Sequence, residues 1–195
     1  MKKKVSLIAL AALLAVTFTG CGIVKVVPIG EEDQYSGKKT FDSAAESSSD
    51  WENVVADISE EAQEISEVLG GGNVTAATAV KGSGKITAYN TDTPKHYIVV
   101  EAEGYTGDIE IQVRADGPNS STAIRDLQHL KEFESFTNQT EWSAYGKALN
   151  KEAVAQVIEP LGIDESAVGK TVTFTGAGEA NGEAISITPV EMTSE

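Results

Sequence analysis

Apolar residues fall into period two between Val80 and Asp116 and again after Lys170. That periodicity belongs to strands with one face turned to a core. Three strands are expected in the first block. Lys85–Thr91 follows a Lys81-Gly82-Ser83-Gly84 lead-in, and Thr91-Asp92-Thr93-Pro94 makes the turn to His96–Glu103. In His96–Glu103, Ile98, Val100 and Ala102 alternate with Tyr97, Val99 and Glu101. Gly107–Ala115 places Ile109, Ile111 and Val113 opposite Glu110, Gln112 and Arg114. The second block gives Lys170–Gly176 and Ala184–Glu191. Ala180-Asn181-Gly182-Glu183 joins them, and its Asn-Gly pair is a strong short-hairpin signal.

Between the two blocks the period is helical. Asp116–Ser121 is a loop rich in turn formers. Thr122–Phe133 contains a short helical segment, and Phe133–Asn150 sets Trp142, Tyr145 and Leu149 on one helical face. Asn150 is placed to cap a further helix, Lys151–Glu159, stopped by Pro160 and Gly162. Upstream, Phe41–Leu69 is mostly helical. Its firm part opens at Ser49-Asp50-Trp51-Glu52, which has capping-box spacing. Trp51, Val54, Val55, Ile58, Ala62, Ile65 and Leu69 make its apolar face, opposite an acidic face read as solvated, and Gly70-Gly71-Gly72 ends it. Three strands, a helical insert and two strands is the element order of the OB-fold. The fold class is therefore α+β, mainly β: a five-stranded antiparallel OB-like barrel with an N-terminal helix and a helical insert between strands three and four. The alternative is a half-open antiparallel sheet covered by the helices.

The amino-terminal end carries a different signal. Lys2-Lys3-Lys4 precedes the 12-residue apolar run Val5–Val16, short for a membrane span and right for an export signal. Phe18-Thr19-Gly20 then leads to Cys21, the only cysteine. Small residues before that thiol resemble a bacterial lipobox, with Phe18 departing from the usual leucine. The resemblance implies cleavage after Gly20, a thioether-linked diacylglycerol on Cys21 and acylation of the new amino terminus. An ordinary cleaved signal with an incidental cysteine is the alternative. The expected organisation is a signal peptide over residues 1–20, a lipid-anchored tether over 21–40 and one globular OB-like domain over 41–195.

Charge excludes some partners. The formal balance is −15, and removal of the leader takes three lysines with it. Phosphate backbones and acidic headgroups repel such a surface, so no nucleic acid is expected and membrane attachment must be covalent. A lone cysteine forms no internal disulfide.

Catalytic arrangements are absent from the sequence pattern. His96 and His129 lack metal-ligand spacing partners, and no G-x-S-x-G elbow or phosphate loop occurs. No metal, no cofactor and no enzymatic activity are expected. The best ligand-binding candidates are Arg125, Asp126, Asn138, Gln139, Glu141 and Trp142. Their donor fork, amides and carboxylates suit a polyhydroxy ligand, with Trp142 or Tyr145 to cover an apolar sugar face. The alternative is structural: Asn138 and Gln139 cap the following helix, and Arg125 pairs with Asp126 or Glu141.

Several short runs occur in a familiar order. They are Val26–Ile29 after Cys21, Lys81–Lys85, Ala123–Asp126, Phe136–Gln139 with Glu141, Ala148–Asn150, Gly169–Gly176 and Ile187–Val190. Together they resemble the domain-of-unknown-function 2291 family of bacterial predicted periplasmic lipoproteins, over nearly the whole chain. The serine-rich Ser47–Asp50 departs from the family pattern and puts the helix start in question. The resemblance implies attachment to membrane lipid through acylated Cys21, facing the periplasm or the cell exterior. It also implies an accessory or interaction role beside a sugar ABC transporter or its binding protein, with small-solute binding at the Arg125/Asn138 region as the other reading.

Overall fold

Asp42 starts the first helix of the computed structural model, which describes residues 41–72, 74 and 76–195. The leader, Cys21 and the 21–40 tether lie outside the described residues. The Asp42 carboxylate accepts from the amides of Ala44 and Ala45 at 3.1 Å each, and α1 runs Ser43–Glu61. The helix thus starts within the Phe41–Leu69 stretch read as helical, but its firm part opens upstream of Ser49. Asp42 caps the helix upstream, and Ser47 tolerates the helix interior by turning its hydroxyl back to Ala44 O at 3.1 Å. Nor is 41–69 one helix. Ala62 takes extended geometry, Gln63–Glu64 (β1) pairs in parallel with Val80 and Lys81, and α2 is a separate turn and a half, Ile65–Gly70. The apolar stripe keeps its phase across the break, since Ala62, Ile65 and Leu69 are all buried.

Five longer strands form the barrel: β2 (Thr78–Asn90), β3 (His96–Ala102), β4 (Glu110–Asp116), β5 (Thr171–Asn181) and β6 (Ala184–Ser194). Neighbours run β2-β3-β4-β6-β5, and β5 closes back onto β2. All of these pairings are antiparallel except β4 with β6, where Ile111 faces Ile185 and Val113 faces Ile187 in parallel register. The barrel is thus mixed rather than purely antiparallel. β2 starts at Thr78, seven residues before the expected Lys85. Its first part pairs with β5 and its second with β3, the two overlapping at Gly84 and Lys85. A Cβ on Gly84 would lie 2.3 Å from Glu101 O. The Gly82-x-Gly84 pair is therefore the corner of a closed barrel, within the strand rather than ahead of it.

Two apolar clusters result. Ile86, Ile98, Val100, Ile111, Val113, Val172, Phe174, Ile185 and Ile187 fill the barrel, with Ile65 and Leu69 of α2 against them. A second layer packs α1 and the insert helices α3 (Ala123–Leu127) and α4 (Gln139–Ala153) around Ala79, Ala177 and Val190 on the outside of the barrel. Asn150 starts no new helix. It lies buried within α4, whose path continues through a π-helical stretch, Val154–Ile158, to the left-handed Gly162. The helices thus clothe the wall formed by β2, β5 and the far end of β6. Among the described residues no helix is packed along β3, while the Val154–Ile158 stretch approaches β4.

Candidate functional site

The loop Gly117–Thr122, between β4 and α3, is held from three directions. Arg114 is 5% exposed, and its Nη2 donates to the carbonyls of Asp116, Gly117 and Pro118 at 3.1, 3.2 and 2.7 Å. Burial lowers the Arg114 pKa, while Asp116 and Glu179 oppose that shift. Asn119 donates to Thr188 Oγ1 at 3.0 Å and accepts from the Ser121 amide. Asn150 Nδ2 donates to Ser121 O at 2.7 Å. Gly117 has φ +79, and a Cβ there would meet Pro94 O at 2.0 Å. The loop is a rigid wall, with a cleft on each side of it.

The first cleft, of about 590 Å³, lies between this loop and α4. Ser143, Gly146, Lys147, Asn150, Lys151 and Val154 supply the helix side at three- and four-residue steps, and Arg125 closes one end. The arginine stem lies over Gly146, where a Cβ would approach Arg125 Cδ to 3.0 Å. Its guanidinium donates to Asp126 Oδ1 through Nε (2.8 Å) and Nη2 (2.6 Å) and sits 4.7 Å from the Trp142 ring centre. Three basic side chains therefore gather here on an acidic chain, around a largely apolar floor that includes Val154 and Ala155. Asn150 is 3% exposed and its Oδ1 has no hydrogen-bond partner.

The second cleft, of about 630 Å³, lies between the 91–95 turn and the same loop, over β3, β4, β6 and β5. Tyr97 and Arg114 are register partners there, as are Gln112 and Ser186, with Glu179 and Asn181 of β5 beyond. Burial and then Glu110 and Asp92 raise the Tyr97 pKa, which keeps the phenol protonated.

The residues singled out from sequence divide. Asn138 is the α4 N-cap, its Oδ1 accepting from the Glu141 amide at 3.0 Å. Glu141 reaches back to the Thr137 amide at 2.8 Å. Both are engaged in starting the helix. Gln139 is exposed on a shallow depression with Ser143 and Lys147. Arg125 pairs with Asp126, not Glu141. Trp142 is half-buried in an aromatic group with Phe133, Phe136 and Tyr145. Tyr145 is fully buried and donates to Asp50 Oδ2 at 2.9 Å, so it cannot cover a ligand as expected. Only Arg125 of the set lines the first cleft. Lys147, Lys151, Tyr97 and Gln112 were not singled out. The lysines were legible as the outward side of α4, and Tyr97 and Gln112 as outward positions of β3 and β4. Among the described residues no group of three or more His, Cys, Asp and Glu side chains is arranged to hold a metal ion.

A closed five-stranded barrel with a helical insert, scaffolding clefts at its rim, defines an OB-fold protein. A family model described as "Predicted periplasmic lipoprotein (DUF2291)" matches residues 68–193, and the chain belongs to that family. Among solved structures, an OB-fold protein from Thermotoga maritima is similar at a TM-score of 0.58. The two chains are 16% identical over 80% of this one and 100% of that one, a likeness that bears on fold alone. No curated protein matches the chain.

Proposed function

We propose that the chain is a non-enzymatic, lipid-anchored module of the cell envelope that binds a small polyhydroxy solute in the cleft between Gly117–Thr122 and α4. The observation that carries this reading is the cleft itself, whose volume of about 590 Å³ falls in the range of small-ligand sites. The basic rim of Arg125, Lys147 and Lys151 offers donors to hydroxyl oxygens, and the apolar floor suits the C–H face of a sugar ring. Thermal stability measured with and without monosaccharides tests the reading, since a solute bound only by the folded chain must raise the melting temperature.

A second reading, an accessory module docked beside a sugar transporter, is favoured by one surface. Leu130 and Phe133 are 44% and 47% exposed on the segment leading into α4, and Phe133 sits edge-on to Trp142. Cross-linking the anchored chain to its membrane neighbours tests this reading. A Phe133→Ser variant that cross-links like wild type would count against it.

A further inference from the structure

We propose that the solute of the α4 cleft is an acidic sugar, a monosaccharide carrying one carboxylate such as an aldonate or a uronate. The inference rests on the reading that this cleft takes a polyhydroxy solute, and adds a charge to that solute.

The cleft lining inverts the charge balance of the chain. The sequence holds 30 acidic residues against 15 basic ones. The lining holds Arg125, Lys147 and Lys151 against a single carboxylate, Glu159. Lys147 and Lys151 follow Ser143 at four-residue steps, so the two ammonium groups stand about one helical turn apart on the side of α4 that meets the loop. Like charges at that spacing disfavour a helix. Among the described residues neither lysine forms an ion pair that would offset the repulsion. A bound anion would offset it.

Arg125 adds a third cation, and a fixed one. Its side chain is only 16% exposed. Nε and Nη2 are held by Asp126 and the guanidinium by the Trp142 ring, which leaves Nη1 for a solute. Such a group is oriented before any solute arrives, and a charge-assisted bond to it is stronger than one between neutral groups. Three cations therefore face two carboxylates, Asp126 and Glu159, and the surplus of about one charge matches one carboxylate. A phosphate dianion would exceed that surplus and meet the field of a chain at −15. The rest of the sugar finds neutral partners. Ser121 Oγ accepts from the Ala123 amide at 3.0 Å and keeps its proton to donate, and Val154 and Ala155 line the floor.

The test titrates the full chain, in a detergent without sugar headgroups, with gluconate, glucuronate and galacturonate. Glucose and galactose serve as neutral counterparts, and glucose 6-phosphate and acetate as controls. At least one sugar acid is expected to bind about tenfold or more tightly than its neutral counterpart. Lys147→Gln combined with Lys151→Gln should weaken the acid by about tenfold and the neutral sugar by less. The pair should leave the melting temperature unchanged or higher, since it removes like charges from exposed helix positions. Ala155→Trp, which fills the cleft from an exposed position, should abolish binding of both sugars. Equal affinity for acid and neutral sugar would overturn the acidic assignment and leave the polyhydroxy reading standing. A preference that survives either variant, or tighter binding of glucose 6-phosphate, would overturn it as well. Acetate bound as tightly as the sugar acids, or no sugar bound at about 10 mM, would overturn both the assignment and the reading beneath it.

Discussion

Asn150 Nδ2 donates to Ser121 O at 2.7 Å and so ties the middle of α4 to the loop that separates the two clefts. The same side chain leaves Oδ1 unpaired. Replacing it therefore has two opposing parts. Asn150→Ala removes a useful donor and an unsatisfied acceptor together, and should cost only about 1 kcal/mol. Asn150→Asp keeps the acceptors, loses the donor and buries a charge against Ser121 O, so it should cost clearly more. Urea unfolding of the two variants checks the order, and an alanine variant less stable than the aspartate would contradict it.

Gly117 should tolerate no side chain. At φ +79 an alanine is strained by about 1–3 kcal/mol, and its Cβ would meet Pro94 O. Gly117→Ala is expected to lower the melting temperature and to raise amide exchange in both the 91–95 turn and the 117–122 loop. An effect confined to one of them would show that the two are not in register.

Alkaline stability should depend on Tyr145. Burial first, then its hydrogen bond to Asp50, raises the Tyr145 pKa well above the ordinary tyrosine value of 10. A group whose folded pKa is raised stabilises fully below its unfolded pKa and loses that contribution as pH rises through the folded value. Stability should therefore fall as pH rises above about 10. Lys131 works in the same direction: burial lowers its pKa, but hydrogen bonds to Asp50 and Glu46 raise it by more. Tyr145→Phe should be less stable at pH 7 and show a shallower decline in the alkaline range. Parallel pH profiles for the two proteins would rule out this role.

Asn138 should behave as a cap. Asn138→Ala is expected to cost about 1 kcal/mol and to leave solute affinity unchanged once the chain is folded. Lost binding at unchanged stability would instead make Asn138 a ligand contact.

The barrel was legible because strand alternation survives closure: Ile98, Val100, Ile111, Val113, Ile185 and Ile187 all point inward as the period required. Asn181-Gly182 marked the hairpin, with Gly182 in the left-handed region. What sequence concealed was long-range. Nothing local shows that Gly84 passes against Glu101, so the Gly-x-Gly run read as a lead-in. The capping-box spacing drew the helix start to Ser49, whereas Asp42 caps the helix upstream. Asn150 looked like a cap because its neighbours are helical, whereas its partner, Ser121, lies on a distant loop. The polar run Asn138–Glu141 drew attention by composition, yet two of its side chains serve the helix start. Lys147 and Lys151 stand on a side of α4 that becomes a cleft wall only through the distant loop Gly117–Thr122.

The most direct measurement is thermal unfolding of the full chain across a monosaccharide panel, run in parallel on Ala155→Trp. A cleft that binds a polyhydroxy solute predicts stabilisation of the wild type by about 2.7 kcal/mol at a hundredfold excess over the dissociation constant, abolished in the tryptophan variant. A flat response across the panel, or an equal shift in Ala155→Trp, would contradict it.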